Sequence, residues 1–304
     1  MPVLKENPET LQLDEVHLLS SRVRFRNIVV ATDFSANALK ALRVGVAVAR
    51  RFASRVYLVH VAMPTSYAAD LSLAPATMEQ GLVSAQESMR ELGDHPLLSG
   101  LKHREVVLEG AIVEELRKFI EEKHIELVIV GTAGRKGMEK LFLGSEAESI
   151  VRHMPCPVMI AGPKVGIAPI QYRSIVFATR LSPTSLRAAQ YAVSLAEEMD
   201  SHLTLLHVER DAKHFDEEAR LETYRQLRNL LPVDSECWCR PKVRAELGDP
   251  ATQILGAAVQ DNADLIVMSS HDDPIFADHA PWSVLAKVVR DAKCPVLAVS
   301  GHYG

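Results

Sequence analysis

The chain has 304 residues, a length that suggests two domains of ordinary size. Its residues are 47% hydrophobic and 24% charged, an average globular composition able to bury real cores. A formal net charge of −5 argues against a general nucleic-acid or membrane-surface binder. No uninterrupted apolar run approaches transmembrane length, and the polar, acidic start MPVLKENPETLQLDE carries no apolar leader. Four cysteines are too few for a disulfide scaffold of this size. The expectation is a cytoplasmic protein with neither nucleic-acid nor membrane partners.

Residues 1–22 lack strong periodicity and read as an extension lying on a first domain over 23–162. Asn27-Ile28-Val29-Val30-Ala31-Thr32-Asp33 then reads as a strand ending at an acidic residue, with Ser35 as N-cap of a helix through Leu39, Leu42, Val46 and Ala49. A second strand covers Val56 to Val61, a loop follows it, and a helix is expected over residues 76–91. His103 to Leu108 is a third strand, and Gly110 opens a helix through Ile112, Leu116, Phe119 and Ile120. Leu127-Val128-Ile129-Val130 is a buried fourth strand and Cys156-Pro157-Val158-Met159-Ile160 a fifth.

The pattern then repeats. Ile175 to Ser182 echoes Ile28 to Ser35, and Leu205-Leu206-His207-Val208 echoes Leu58 to Val61, both 147 positions downstream (Ala31 to Ala178, Val61 to Val208). Gly248 echoes Gly110, and Cys294-Pro295-Val296 echoes Cys156-Pro157-Val158, at an offset of 138 (Gly110 to Gly248, Cys156 to Cys294). The first copy therefore carries the longer connection between its second strand and that glycine turn. Asp249-Pro250 and Ser182-Pro183 are N-cap-then-proline helix starts. Residues 163–170 form a linker rich in Gly and Pro, leaving a second domain over 171–304. The fold class is α/β, two copies of a β-α-β-α-β-α-β-α-β unit with a parallel sheet covered on both faces.

Between the fourth strand and the next helix lies GTAGRKGMEKLFLGS, residues 131–145. Its four glycines, Gly131, Gly134, Gly137 and Gly144, let backbone amides converge on an anion, and Arg135, Lys136 and Lys140 add positive charge. Ser145 reads as the N-cap of a short helix stopped by Pro155, and a helix start contributes free N–H groups. The stretch reads as a phosphate cradle, set against the alternative of an ordinary glycine-rich turn with a solvated basic face.

These residues carry a resemblance. The chain resembles a tandem universal stress protein over nearly all of its length beyond the extension. That family's ATP motif is glycine, two residues, glycine, nine residues, glycine, then Ser or Thr, matched without a gap by Gly131, Gly134, Gly144 and Ser145. Asp33 closing the first strand, His60-Val61 ending the second and Cys-Pro-Val opening the fifth also match. The resemblance implies two five-stranded sheets of order 3-2-1-4-5, paired through their fifth strands as an internal pseudo-dimer, with further homodimerisation open. It implies an adenine nucleotide as ligand (ATP, with AMP or ADP as alternatives, and Mg²⁺ accompanying it) and a regulatory protein partner of unstated identity in a stress response. Carried over by position, Thr32 and Asp33 would face sugar and phosphates, the backbone at Val61 would meet adenine, and Gly131, Gly134, Gly144 and Ser145 would hold ribose and phosphates. Arg135 would add a charge-assisted contact. Glu146 departs from the family, and its carboxylate would compete with phosphate for the helix start or share Mg²⁺ with it.

In the second copy Gly131 corresponds to Ser269, Gly134 to Asp272 and Gly144 to Trp282, while Ser145 keeps its counterpart in Ser283. Arg180 stands where the first copy has Asp33. The site reads as degenerate, with Arg180 paired to Asp272 or Asp273. His271, Asp272, Asp273 and His279 as a metal cluster is a weaker alternative, and Cys237-Trp238-Cys239 is a weak metal or redox signal against a strand showing two small side chains. His60 and His207 recur in both copies, which points to a structural role. No P-loop lysine, ordered Ser-His-Asp set or zinc spacing is present, so the reading is an ATP-binding regulatory module. A slow ATPase or phosphotransferase using Asp33 or Glu146, and a nucleotide-independent scaffold, are the alternatives.

Overall fold

The computed structural model describes residues 22–62, 74–132, 145–183, 185–232, 235, 239, 241–270 and 284–300. The first half comprises β1 (Asn27–Ala31), α1 (Ala36–Phe52), β2 (Arg55–Ala62), α2 (Ala74–Gly93), β3 (His103–Glu109), α3 (Ile112–Lys123), β4 (Leu127–Gly131), α4 (Ser145–His153) and β5 (Val158–Ala161). The second comprises β6 (Ser174–Thr179), α5 (Ser185–Met199), β7 (His202–Glu209), α6 (Glu217–Asn229), β8 (Lys242–Leu247), α7 (Pro250–Gln260), β9 (Leu265–Ser269), α8 (Val284–Asp291) and β10 (Val296–Val299).

The described strands form one ten-stranded sheet of order β3-β2-β1-β4-β5-β10-β9-β6-β7-β8. Each half has the order 3-2-1-4-5, all parallel. The halves join where β5 and β10 run antiparallel, with Leu297 opposite Met159 between the flanking pairs Val296–Ile160 and Ala298–Val158. The inner strands are near-continuous apolar runs because both faces of a parallel sheet are buried, whereas the edge strands β3 (HREVVLE) and β8 (KVRAEL) are more polar and only partly covered. Alternation sorts them: Ile28, Val30 and Leu58 pack with α1 on one face, while Val29, Tyr57 and Val59 pack with α3 on the other. Both core clusters run through both halves, so the pseudo-dimer has two shared cores.

The repeat survives in backbone detail. Phe34 and Leu181 both adopt left-handed φ (63° and 59°), as do Ala53 and Asp200 (both 53°) and His124 and Asn262 (50° and 47°). Gly110 and Gly248, at φ 142° and 135°, occupy a conformation closed to L side chains, which explains why that glycine recurs.

The segment ahead of β1 crosses to the other half. Val23 N–H donates to Ser194 Oγ on α5 at 2.6 Å, and Arg22 reaches Glu197 at 3.2 Å. Phe25 stacks on Tyr191 with centroids 6.4 Å apart. Phe25 also meets Phe52 of its own half edge-on at 5.1 Å, so this segment bridges the two halves. Of the extension expected on the first domain only Arg22 is described, and residues 1–21 lie outside the described residues. Tyr172, ahead of β6, mirrors Phe25. Ser201 Oγ donates to Tyr172 O as Ser54 Oγ donates to Phe25 O, and Tyr172 itself reaches Met159 Sδ of the first half at 3.8 Å.

Helix bounds follow the sequence with small shifts. The helix expected over 76–91 runs a turn longer, and Ser145, expected as a cap, is already the first helical residue of α4. Cys239 is buried in a turn, not a strand, while Cys237 and Trp238 lie outside the described residues. Asp249 caps α7 with Pro250 behind it. Thr252 N–H and Oγ–H donate to Asp249 Oδ1 at 3.0 and 2.8 Å. Those Thr252 bonds, outweighing a slight opposing effect of burial and helped by Lys287 and Arg210, hold the Asp249 carboxyl below its usual range. A depressed folded-state pKa contributes stability that is present above the ordinary carboxylate value of about 4 and disappears as pH falls through the folded value. Asp249→Ala is expected to lose about 0.5–2 kcal/mol at pH 7. The gap from wild type should close on acidification below about pH 4, as urea melts at pH 7 and pH 3 will read.

Candidate functional site

In an open parallel sheet the crevice opens beyond the strand carboxyl ends where strand order reverses, here between β1 and β4. β1 pairs with β2 only as far as Ala31–Val59, whereas β2 continues against β3 to Ala62–Glu109. Strand β2 therefore overruns β1, and the β1-facing backbone edge from His60 through Val61 to Ala62 borders the crevice. His60 Nδ1–H donates to Thr32 O at 2.8 Å, and its ring lies 4.7 Å from Phe34. His207 makes the same bond to Thr179 O at 3.0 Å. The recurrence of this histidine thus has a physical basis in both copies: it ties the overrunning strand to the end of its neighbour.

The turn after β1 is built from side chains. Phe34 N–H donates to Thr32 Oγ1 and Ser35 N–H to Asp33 Oδ1, each at 3.0 Å. Ser35 Oγ accepts from Ala38 N–H at 3.2 Å, capping α1. A bulky residue in the left-handed region costs on the order of 1–3 kcal/mol, and the Thr32 bond helps to hold Phe34 there. The result sets the half-buried Asp33 carboxylate at the start of α1.

Gly131 ends β4 directly against that helix start. A Cβ on Gly131 would sit 2.7 Å from Asn37 O and 2.9 Å from Asn37 C, backbone atoms that cannot swing aside. The next residue, Thr132, is 4% exposed, and its Oγ1 is buried with no hydrogen-bond partner among the described residues. Buried hydroxyls are nearly always satisfied, so an orphan one at the crevice needs a reason. Sequence reading missed Thr132; the available signal was a hydroxyl residue at the same place in both copies, Thr132 and Ser270. Ser145 and Glu146 open α4 and are exposed. Gly134, Arg135 and Gly144 lie outside the described residues, as do Lys136 and Lys140.

In the second half the equivalent crevice holds a cavity of about 280 Å³ at the ends of β6, β7 and β9, with the start of α8 along it. Arg180 and Ser269 border it. Asp272, Trp282 and Ser283 are outside the described residues, and with them the expected Arg180–Asp272 or Arg180–Asp273 pair. Among the described residues no group of three or more His, Cys, Asp or Glu side chains could hold a metal ion. No helix among them is long and apolar enough to cross a membrane. Cys156 and Cys294 are buried ahead of β5 and β10, and burial pushes both thiols up to about 12.

The model of the universal stress protein family matches residues 24–162 and again 171–300. A universal stress protein of Methanocaldococcus jannaschii is 28% identical over 155 residues, 47% of this chain and 89% of that one. The crystal structure of a universal stress protein from Archaeoglobus fulgidus superposes with a TM-score of 0.70 at 21% identity, covering 91% of this chain and 97% of the other. A functionally unknown protein from Pseudomonas aeruginosa PAO1 shares the fold at TM-score 0.57 and 16% identity, over 91% and 92% of the two chains.

Proposed function

Because the chain belongs to the universal stress protein family through both of its halves, we propose that its first domain binds an adenine nucleotide, ATP foremost, as a cytoplasmic regulatory module of the stress response. The observation that carries this reading is the pairing of Gly131 and Thr132 at the switch point. One leaves no room for a side chain, and the other aims a buried hydroxyl without a described partner beside it. The fit is chemical as well as steric: a backbone edge at Val61 for the base, Thr32 and Asp33 at the sugar, and Gly131 with Thr132 leading into Gly134, Arg135, Gly144 and Ser145 for the phosphates. Glu146 sits exposed at the head of α4, where a carboxylate opposes phosphate unless Mg²⁺ is shared between them. The second domain, with Arg180, Ser269, Asp272 and Trp282 in place of Asp33 and three glycines, does not take the triphosphate.

Protein purified without added ligand, heat-denatured and chromatographed, should release about one adenine nucleotide per chain, and titration calorimetry should give matching stoichiometry. Two per chain would refute the one-site reading, and none, with no heat of binding, would leave the scaffold. Thr132→Val replaces the orphan hydroxyl by a methyl of the same shape. It should leave the free protein as stable or slightly more so, because an unsatisfied buried hydroxyl costs about 1–3 kcal/mol. ATP affinity should meanwhile fall about ten-fold, the worth of one lost hydrogen bond. Unchanged affinity in a folded Thr132→Val protein would remove Thr132 from the site.

A further inference from the structure

The two copies differ on the outer face of one helix. On α3 the exposed side carries Glu114, Arg117, Lys118, Glu121 and Glu122, an ordinary solvated face of mixed charge. At the offset of 138, α7 places Thr252, Leu255, Gly256, Val259 and Gln260 at those positions, and no residue from Pro250 to Gln260 is charged. The inner faces still correspond, since Leu116 and Ile254, and Phe119 and Ala257, are buried in the same core. The loss of charge is therefore complete on the side that faces away from the sheet. Thr252, Gly256, Val259 and Gln260 are exposed, Val259 to 64%, and Leu255 beside them is half-buried. Gly256 stands in the helix interior, where glycine weakens the helix. A Cβ there would meet nothing within 4 Å, so packing inside the chain does not require a glycine. Close approach of another backbone from outside does.

Charges at the two ends of α7 decide what fits against it. At its start the Asp249 side chain is 51% exposed, with Lys287 at 3.8 Å and Arg210 acting on it more weakly. At its end the Lys242 side chain is 64% exposed and holds Asp261, itself only 10% exposed, at 2.9 Å. The more exposed member of the ion pair is thus acidic at the start and basic at the end. Two such helices related by a two-fold axis through Gly256 run antiparallel, and each Asp249 comes toward Lys242 of the other copy. The neutral centre between them holds no charge that would lose its water. We infer that the outer face of α7 is where a second copy of this chain docks, antiparallel about a two-fold axis, with Gly256 at the crossing. An 11-residue helix is about 16 Å long, too short to fill the ~1,200–2,000 Å² of a permanent interface. The dimer is therefore a reversible one.

Sedimentation equilibrium of the full chain without nucleotide, from about 1 µM to 1 mM, tests this. The mass should pass reversibly from one chain to two, with a Kd on the order of 10–100 µM. Gly256→Lys copies the residue that α3 carries at the same place and has open space to enter. It should weaken association at least about ten-fold while raising the melting temperature, because lysine is the better helix former. A merely structural glycine would not give that opposed pair of effects. Val259→Glu, likewise copied from α3, should weaken association similarly and serves if the first variant fails to fold. Val83→Glu, at an exposed apolar residue of α2, should leave association unchanged. A monomer at every concentration would overturn the inference and leave this face to a different protein. A dimer that Gly256→Lys and Val259→Glu leave intact would overturn it too, as would assemblies that keep growing with concentration, since a two-fold contact closes at two chains.

Discussion

Gly131→Ser should both destabilise the protein and abolish ATP binding, although serine is the residue that the second copy carries at the same place. A Cβ at 131 would meet Asn37 O at 2.7 Å and Ala38 N at 3.2 Å, at the first turn of α1. Helix α1 is held by its Ser35 cap and by Leu42, Val44 and Val48, all fully buried, so it cannot lift away cheaply. Overpacking of this kind costs about 1–3 kcal/mol, and serine's hydroxyl adds to it. Any shift of α1 or β4 that relieves the clash also moves Asp33 and Thr132, so the crevice deforms with the fold. Denaturant melts and ATP calorimetry on one preparation separate the outcomes. Lost affinity with lost stability is the expected pair. Lost affinity at wild-type stability would mean that the glycine serves the ligand alone. Retention of both would dismiss Gly131 from either role.

The expectation also bears on what the sequence can reveal. The strands and their order were legible because a parallel sheet buried on both faces writes itself as runs such as Leu127 to Val130, and because every element occurs twice. The pairing of β5 with β10 came from the family resemblance, and the sheet order bears it out. The glycine spacing was legible as chemistry, yet one reason for the glycine at 131 was not. Its contact with Asn37 O joins residues more than ninety positions apart, and nothing local records such an approach. The same holds for Phe25 on Tyr191 and for the orphan hydroxyl of Thr132, which depend on where the fold closes. The cavity beside Arg180 and Ser269 was hidden for another reason. Comparing the copies position by position shows what the second has lost, whereas the room left at its strand ends depends on how residues such as Ile254, Met268 and Leu285 pack around it.

Gly162→Ala should break the union of the halves. A Cβ there would lie 2.1 Å from Val289 O and 3.2 Å from Val289 C, in the backbone of α8 in the opposite half. Neither side can yield by a rotamer change. Gly162 follows β5, and Lys164 two residues on pairs with Asp291 at the end of α8 at 2.6 Å, so the clash sits beside the antiparallel β5–β10 junction. In the wild-type chain both core clusters run through that junction, and loss of one half exposes the core of the other. Unfolding should therefore be a single cooperative transition. Both tryptophans, Trp238 and Trp282, belong to the second half, so their fluorescence reports that half while far-ultraviolet circular dichroism reports the whole. In wild type the two denaturant curves should coincide. In Gly162→Ala, with about 1–3 kcal/mol of overpacking at the seam, they should separate, with the midpoint of at least one probe lowered. Coincident curves at an unchanged midpoint would mean that the seam accommodates a methyl group and that the tight approach to Val289 contributes nothing to coupling. Were the curves to separate already in the wild type, the halves would be independent folding units, and the shared cores would stabilise each half without making it depend on the other.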